Sequence, residues 1–272
     1  MRVLDRGDQL RKELDAARGE GSTVGLVPTM GFLHRGHGAL IRRAVAECDV
    51  VAVTVFVNPL QFAPTDDLAT YPRDLGRDVE VATRAGAGLL FAPPVEEMYP
   101  GGGLAVTVHV AGEDSLEGAS RPGHFDGVAT VVAKLCNLAG PCRAYFGEKD
   151  WQQLGVVRRL VADLSFPVEV VGCATVREND GLACSSRNER LSRPERAAAT
   201  VLYRALTAAA TAYGAGERHP DRLASLMAGV VATEPLARLD YAEVLGDRLV
   251  IAARIGDVRL IDNVHLGRAE VR

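Results

Sequence analysis

Residues 50–57 read Val-Val-Ala-Val-Thr-Val-Phe-Val, eight positions with one hydroxyl and no charge. A half-exposed strand alternates apolar and polar residues, whereas one that is apolar throughout must be covered on both faces. This run therefore belongs inside a parallel sheet flanked by helices. Residues 23–29 (Thr-Val-Gly-Leu-Val-Pro-Thr) form a second such run, and 89–92, 143–146 and 168–172 form shorter ones. Helical patterns at 8–18, 36–47, 74–84, 127–138 and 151–163 fall among them. Strands alternating with helices predict βαβ units with right-handed crossovers, hence a Rossmann-like, doubly wound α/β sheet. Ligands on such sheets bind beyond the carboxyl ends of the strands. The loops after Thr29, Val57 and Phe146 are where chemistry is expected.

Past about residue 175 the pattern changes. Residues 194–214 read as an Ala-rich helix and 221–232 as a second one. Residues 240–245, 249–254 and 258–262 read as short strands, and the Gly-Asp pairs at 246–247 and 256–257 are hairpin-turn signals. Two domains are expected: a catalytic one over 1–175 and a smaller C-terminal α+β domain over 176–272 with an antiparallel sheet.

A formal net charge of −4 argues against nucleic-acid or anionic-membrane partners, which call for a basic surface. No apolar run approaches the roughly 20 residues of a membrane helix. The opening Met-Arg-Val-Leu-Asp-Arg-Gly-Asp lacks a signal-peptide core. Cysteines at 48, 136, 142, 173 and 184 form no metal-ligand spacing and fit reduced thiols, so a cytoplasmic location is expected.

The stretch Pro28-Thr29-Met30-Gly31-Phe32-Leu33-His34-Arg35-Gly36-His37 follows the first long strand and opens a helix. Histidines three apart at a helix start point to one side. Gly36 between them lets a phosphate or flat base approach the backbone. Free N–H groups at a helix N-terminus favour bound phosphate, and imidazoles there can donate to charge building on it. The alternative is a helix cap with two incidental histidines. In Phe146-Gly147-Glu148-Lys149-Asp150 a Gly turn at a strand end puts the compact charge of Lys149 where phosphates would lie. Ser185, Ser186 and Arg187 offer two hydroxyls and a guanidinium, a phosphate clamp or simply a polar loop. Asn58, Gln61 and Gln153 are amides beside strand ends, able to read hydroxyls and a carboxylate without acting as nucleophiles.

His-x-Gly-His after the first strand resembles the ATP-binding signature of the nucleotidylyltransferase superfamily. The longer string PTMGFLHRGH is similar to its pantothenate synthetase form. FVNPLQF at 56–62, RPGHFDGVATVVAKL at 121–135, FGEKDWQQL at 146–154 and REND-GLACSSRN at 177–188 resemble the same family in the same order. The resemblance implies ATP-dependent condensation of pantoate with β-alanine through a pantoyl adenylate, with release of AMP and pyrophosphate. It implies that Pro28 through His37, Gly147 through Asp150, Val176 and Cys184 through Arg187 contact ATP. It also implies that Asn58, Gln61 and Gln153 contact pantoate or β-alanine, that Arg121 lies near the triphosphate, and that the enzyme is a homodimer. The family usually carries Met where this chain has Cys184. His37, His34 and Lys149 are the expected catalytic groups.

Of Asp66, Asp67, Asp74 and Asp78, most are expected to be solvated or capping, with no protein metal cage and magnesium arriving on the ATP phosphates. Arg121 and His124 could equally be surface charges. Three other readings stay open: a nucleotidylyltransferase with another acceptor, against which FVNPLQF and FGEKDWQQ count; a dinucleotide oxidoreductase, against which the lack of Gly-x-Gly-x-x-Gly counts; and a non-catalytic nucleotide sensor, which a turnover assay would separate.

Overall fold

The computed structural model describes residues 1–62, 68, 69 and 71–267. The chain divides into two compact units, Met1–Ala174 and Thr175–Arg272. Residues 63–71, a polar, proline-containing run after the strand end at Val57, are expected from sequence to form a mobile cover over the site; they fall mostly outside the described residues, as do Asp66 and Asp67.

The first unit carries six strands: β1 (Arg2–Leu4), β2 (Val24–Thr29), β3 (Val50–Val55), β4 (Leu89–Phe91), β5 (Cys142–Gly147) and β6 (Val168–Cys173). All pair in parallel, in the order β1-β4-β3-β2-β5-β6. Its helices are α1 (Gly7–Gly19), α2 (Arg35–Glu47), α3 (Leu75–Arg84), α4 (Val95–Met98), α5 (Glu117–Ser120), α6 (His124–Ala139) and α7 (Trp151–Asp163). The doubly wound α/β sheet read from the sequence is present. β1 was not anticipated, because three residues are too few for a periodicity.

Alternate strand residues point into two separate cores, as the period of two requires. Leu26, Ala52, Leu89, Phe91, Ala144 and Phe146 pack on one face with α1, α6 and α7. Val27, Val51, Val53, Leu90 and Tyr145 pack on the other with α2 and α3. Leu10 and Leu14, one turn apart on α1, are fully buried. Each such Leu contributes about 1.5–3 kcal/mol.

From β2 the chain passes to β3 and β4 on one side, then returns to place β5 on the other side of β2. The switch point of the sheet therefore lies between β2 and β5, and it is beyond the strands' carboxyl ends at such a point that open α/β sheets bind ligands.

The second unit holds α8 (Arg193–Ala198), α9 (Val201–Gly214), α10 (Pro220–Val231) and the antiparallel strands β7 (Ala237–Leu245), β8 (Arg248–Ile255) and β9 (Val258–His265). Leu202, Leu206, Leu223 and Met227 of the helices form its core with Leu249, Ile251 and Ile255. Both Gly-Asp pairs make two-residue turns, with Gly246 at φ 59° and Gly256 at φ 55°. The single helix expected over 194–214 is two. The Thr200 hydroxyl donates to the Ala197 carbonyl at 2.8 Å, taking the acceptor a continuous helix offers to Val201.

Candidate active site

β2 ends in Thr29, whose hydroxyl donates to the Thr54 carbonyl at 2.6 Å and accepts from the Gly31 N–H at 3.1 Å. The chain then turns through Gly31 at φ 85° and Phe32 at φ 50°. A side chain at Gly31 would meet Val55 Cγ1 at 2.8 Å and Asp78 Oδ2 at 2.9 Å, so only glycine fits this turn. The Phe32 and Leu33 N–H groups both donate to the Asp78 carboxylate, at 3.0 and 2.6 Å. Leu33 is fully buried and Arg77 stacks over the Phe32 ring at 4.2 Å.

His34 is the N-cap of α2, and its Nδ1 accepts from the Gly36 N–H at 3.1 Å. His37 completes the cap in reverse: its Nδ1 accepts from the His34 N–H at 3.3 Å. Because both Nδ1 atoms accept, both rings are the neutral tautomer that carries its proton on Nε2. The rings lie 4.0 Å apart. Burial, then the charges of His37 and Lys149, pushes His34 down to about 2. Burial and Lys149 hold His37 at about 4. At neutral pH the pair consists of two uncharged donors.

These caps correct one expectation. The N–H groups of Gly31, Phe32, Leu33, His34 and Gly36 are already bonded within the protein, so they do not offer themselves to phosphate. The Nε2–H groups of His34 and His37 are further donors of this loop.

β5 runs beside β2, and delivers Gly147 and then the 3-10 turn Glu148–Asp150 at the same sheet edge. Lys149 Nζ lies 3.3 Å from Asp150 Oδ1, and its side chain is only 18% exposed. Lys149 is close enough for its charge to depress both imidazoles. His34, His37 and Lys149, predicted separately, are thus gathered at the switch point.

After β3, Asn58 caps the 3-10 turn Pro59–Gln61. Its Nδ2 donates to Gln61 Oε1 and to the Gly127 carbonyl, each at 3.0 Å. Its Oδ1 accepts from Tyr99 Oη at 2.7 Å and the Leu60 N–H at 3.2 Å. Asn58 is 1% exposed, with its amide fully committed, so it orients Gln61. Gln61 Nε2 approaches Met30 Sδ at 3.0 Å, which joins this turn to the signature loop. Arg121 Nη2 and His124 Nδ1 donate to the Gln61 carbonyl at 3.1 and 2.9 Å. Gln153 is half-buried near the start of α7.

In the second unit, the Cys184 N–H donates to the Val176 carbonyl at 2.9 Å, closing a hairpin. Cys184 is buried, with its thiol 3.2 Å from Glu178 Oε1. Ser185 caps the 3-10 turn Ser186–Arg190 by accepting from the Arg187 N–H at 3.3 Å. Arg177 anchors the hairpin: it donates to Asp262 Oδ2 at 2.6 Å, to the Gly181 carbonyl at 3.1 Å and to the Asn263 carbonyl at 3.1 Å. It also stacks on Tyr203 at 4.4 Å.

Of the four aspartates, most of them expected to be solvated or capping, Asp74 caps α3 by accepting from the Arg77 N–H at 2.9 Å. Asp78 is different. It is 1% exposed and holds the signature loop, while burial pushes its carboxyl above the ordinary value. Sequence spacing could not reveal this, since its partners lie 45 residues away. Gly127, Tyr99 and Arg177 were also passed over as individual residues. Among the described residues no group of three His, Cys, Asp or Glu side chains is placed to hold a metal ion. No helix among them is long and apolar enough to cross a membrane.

The geometry has counterparts in known proteins. A model of the pantoate-beta-alanine ligase family matches residues 2–265. Pantothenate synthetase of Deinococcus radiodurans is 55% identical over 276 residues, 94% of this chain and 97% of that protein. The Chloroflexus aggregans protein of the same name is 52% identical over 265 residues, 92% and 96% of the two chains. The crystal structure of pantothenate synthetase from Thermus thermophilus superposes with a TM-score of 0.91 at 49% identity, covering 98% and 99% of the chains. That of pantoate-beta-alanine ligase from Francisella tularensis, complexed with beta-gamma ATP and beta-alanine, gives 0.85 at 34% identity over 99% of each. With this breadth of match behind the geometry, the chain belongs to the pantoate–β-alanine ligase family.

Proposed function

We propose that the chain condenses pantoate with β-alanine at the expense of Mg-ATP, through a pantoyl adenylate. The observation that carries the reading is the neutral His34–His37 pair beside Lys149 at the β2/β5 switch point. Family membership and the ATP and β-alanine named for the Francisella tularensis relative support it.

In the first half, a pantoate carboxylate oxygen attacks the α-phosphorus of ATP and the bond to the β-phosphate oxygen breaks, releasing pyrophosphate. The Nε2–H groups of His34 and His37 donate to oxygens gaining charge, and Lys149 adds a fixed positive charge. Neither imidazole is a proton donor in the acid–base sense at neutral pH, because each is already neutral. In the second half, the β-alanine amine attacks the acyl carbon, AMP leaves, and the amine gives up a proton. Neither half needs a covalent enzyme nucleophile, so positioning carries much of the rate. Gln61 and Gln153 are assigned to pantoate, with Asn58, Arg121 and His124 holding Gln61. Pro28–His37 and Gly147–Asp150 are assigned to ATP. Val176, Cys184, Ser185, Ser186 and Arg187 are assigned to the nucleotide on their likeness to the superfamily's second signature. Magnesium enters as part of the Mg-ATP substrate. A homodimer and a cytoplasmic location complete the proposal.

Isotope exchange tests the order of events. With pantoate present and β-alanine absent, labelled pyrophosphate should exchange into ATP, and Lys149→Ala should depress that exchange. Exchange that strictly requires β-alanine, with slow pyrophosphate release ruled out, would replace the adenylate by a concerted scheme.

A further inference from the structure

Four features of α3 and the signature loop converge on one side chain. Asp78 projects from α3 into the turn after β2, almost wholly buried. Two successive N–H groups, those of Phe32 and Leu33, aim at its two oxygens, Oδ2 and Oδ1. Phe32 sits at φ 50°, a conformation that costs a non-glycine residue about 1–3 kcal/mol and persists only where surroundings impose it. Gly31 has no side chain because one would strike Asp78 itself.

A buried carboxylate is the wrong sign to place beneath a phosphate-handling loop. A neutral cap would serve a purely structural turn without that electrostatic cost. What a carboxylate alone offers in this volume is two acceptor oxygens and no donor, which two adjacent N–H groups require. An asparagine would turn an NH2 toward one of them. The next residue is His34, whose own N–H must reach His37 Nδ1 to fix the tautomer of that ring.

We propose that Asp78 is a positioning residue for the nucleotide: it holds the Phe32–Leu33 turn, and through it the orientation of the His34 and His37 Nε2–H groups. The proposal rests on the reading that the 28–37 loop binds ATP. Asp78 touches no substrate. It acts by turning two backbone amides inward, so that the loop meets ATP with imidazoles rather than with an amide nest. Arg77, stacked on Phe32 from the neighbouring position, holds the same turn from outside. The first turns of α3 are thereby part of the nucleotide site although they lie about 40 residues from it in sequence.

Asp78→Asn and His37→Ala should be assayed side by side for kcat and for the KM of each substrate, well below their melting temperatures. Asp78→Asn should lose about tenfold or more in kcat/KM for ATP, the scale of a lost charge-assisted hydrogen bond. Its KM for β-alanine should stay within about twofold. A residue that merely supports the fold would lower the melting temperature and leave those constants intact in the folded enzyme. Wild-type ATP kinetics in Asp78→Asn, or equal changes for every substrate, would overturn the proposal. If His37→Ala were also normal, the ATP reading of the loop would fall; an impaired His37→Ala beside a normal Asp78→Asn would sink only the role of Asp78. Amide exchange on the wild-type enzyme without nucleotide covers the case in which Asp78→Asn does not fold. The Phe32 and Leu33 amides should then be protected like those of β2 and β3, and exchange at open-loop rates would refute the proposal.

Discussion

His34 and His37 each carry two nitrogens with different work to do. Nδ1 of each ring closes the cap of α2, which leaves Nε2–H for the donor role proposed toward a phosphoryl group. His37→Ala should therefore cost turnover about 100-fold or more, the scale of one lost donor to a developing oxyanion. It should also cost about 1 kcal/mol of stability through the lost cap, read as a lower melting temperature. The pH dependence has a definite sign. The unfolded chain protonates His37 below its ordinary 6.5, whereas the folded chain does so only near 4. Between these values the unfolded state binds more protons, so stability falls as pH drops through that window. His34, held at about 2, extends the effect further down. The melting-temperature advantage of wild type over His37→Gln should accordingly shrink from pH 6.5 to pH 4. An advantage that stayed constant would show that His37 is charged in the fold.

α6 and the turn Pro59–Gln61 touch through Gly127. A methyl there would sit 2.3 Å from the Leu60 carbonyl oxygen and 2.6 Å from the Gln61 nitrogen. Gly→Ala inside an exposed helix is ordinarily stabilising by up to about 1 kcal/mol. Here the sign reverses, because the obstacle is backbone. Gly127→Ala should destabilise by about 1–3 kcal/mol, the range for overpacking, and raise the KM for pantoate by displacing Gln61. Melting curves and initial rates together check it; a more stable, fully active variant would refute it. The hairpin of the second unit depends on a similar contact at a distance. Arg177 and Asp262 are a nearly buried pair, their side chains 10% and 2% exposed. Arg177→Met breaks that pair and should cost about 3–5 kcal/mol, measurable by urea denaturation. Long elements were legible as elements because their apolar periodicity is strong, as in β3 and α7. β1 and the break between α8 and α9 were not, since one is too short and the other turns on a single hydroxyl.

At the scale of the chain, two units each carry a core of their own, one around a parallel sheet and one around an antiparallel hairpin pair. The proposed homodimer makes a simple expectation: light scattering at micromolar concentration should return about twice the 28.9 kDa chain mass. An active monomer would remove the dimer and leave the chemistry intact.

The parallel sheet, the antiparallel hairpins, the Gly-Asp turns and the chemistry-bearing strings at 28–37 and 146–150 could all be read locally. Each depends on periodicity, on a left-handed turn or on a short spacing, and these are properties of neighbours in sequence. His34, His37, Lys149 and Gln61 were therefore nameable as candidates before any coordinates. Their protonation, their partners and the job of Asn58 were not. Asn58 looks like a ligand-reading amide until Tyr99 and Gly127 are seen to occupy it. Asp78 looks like a solvated carboxylate until the fold carries it 45 residues back to Leu33 and buries it. Desolvation and long-range hydrogen bonding are set by what the rest of the chain brings to a position. Only the packed tertiary structure decides them.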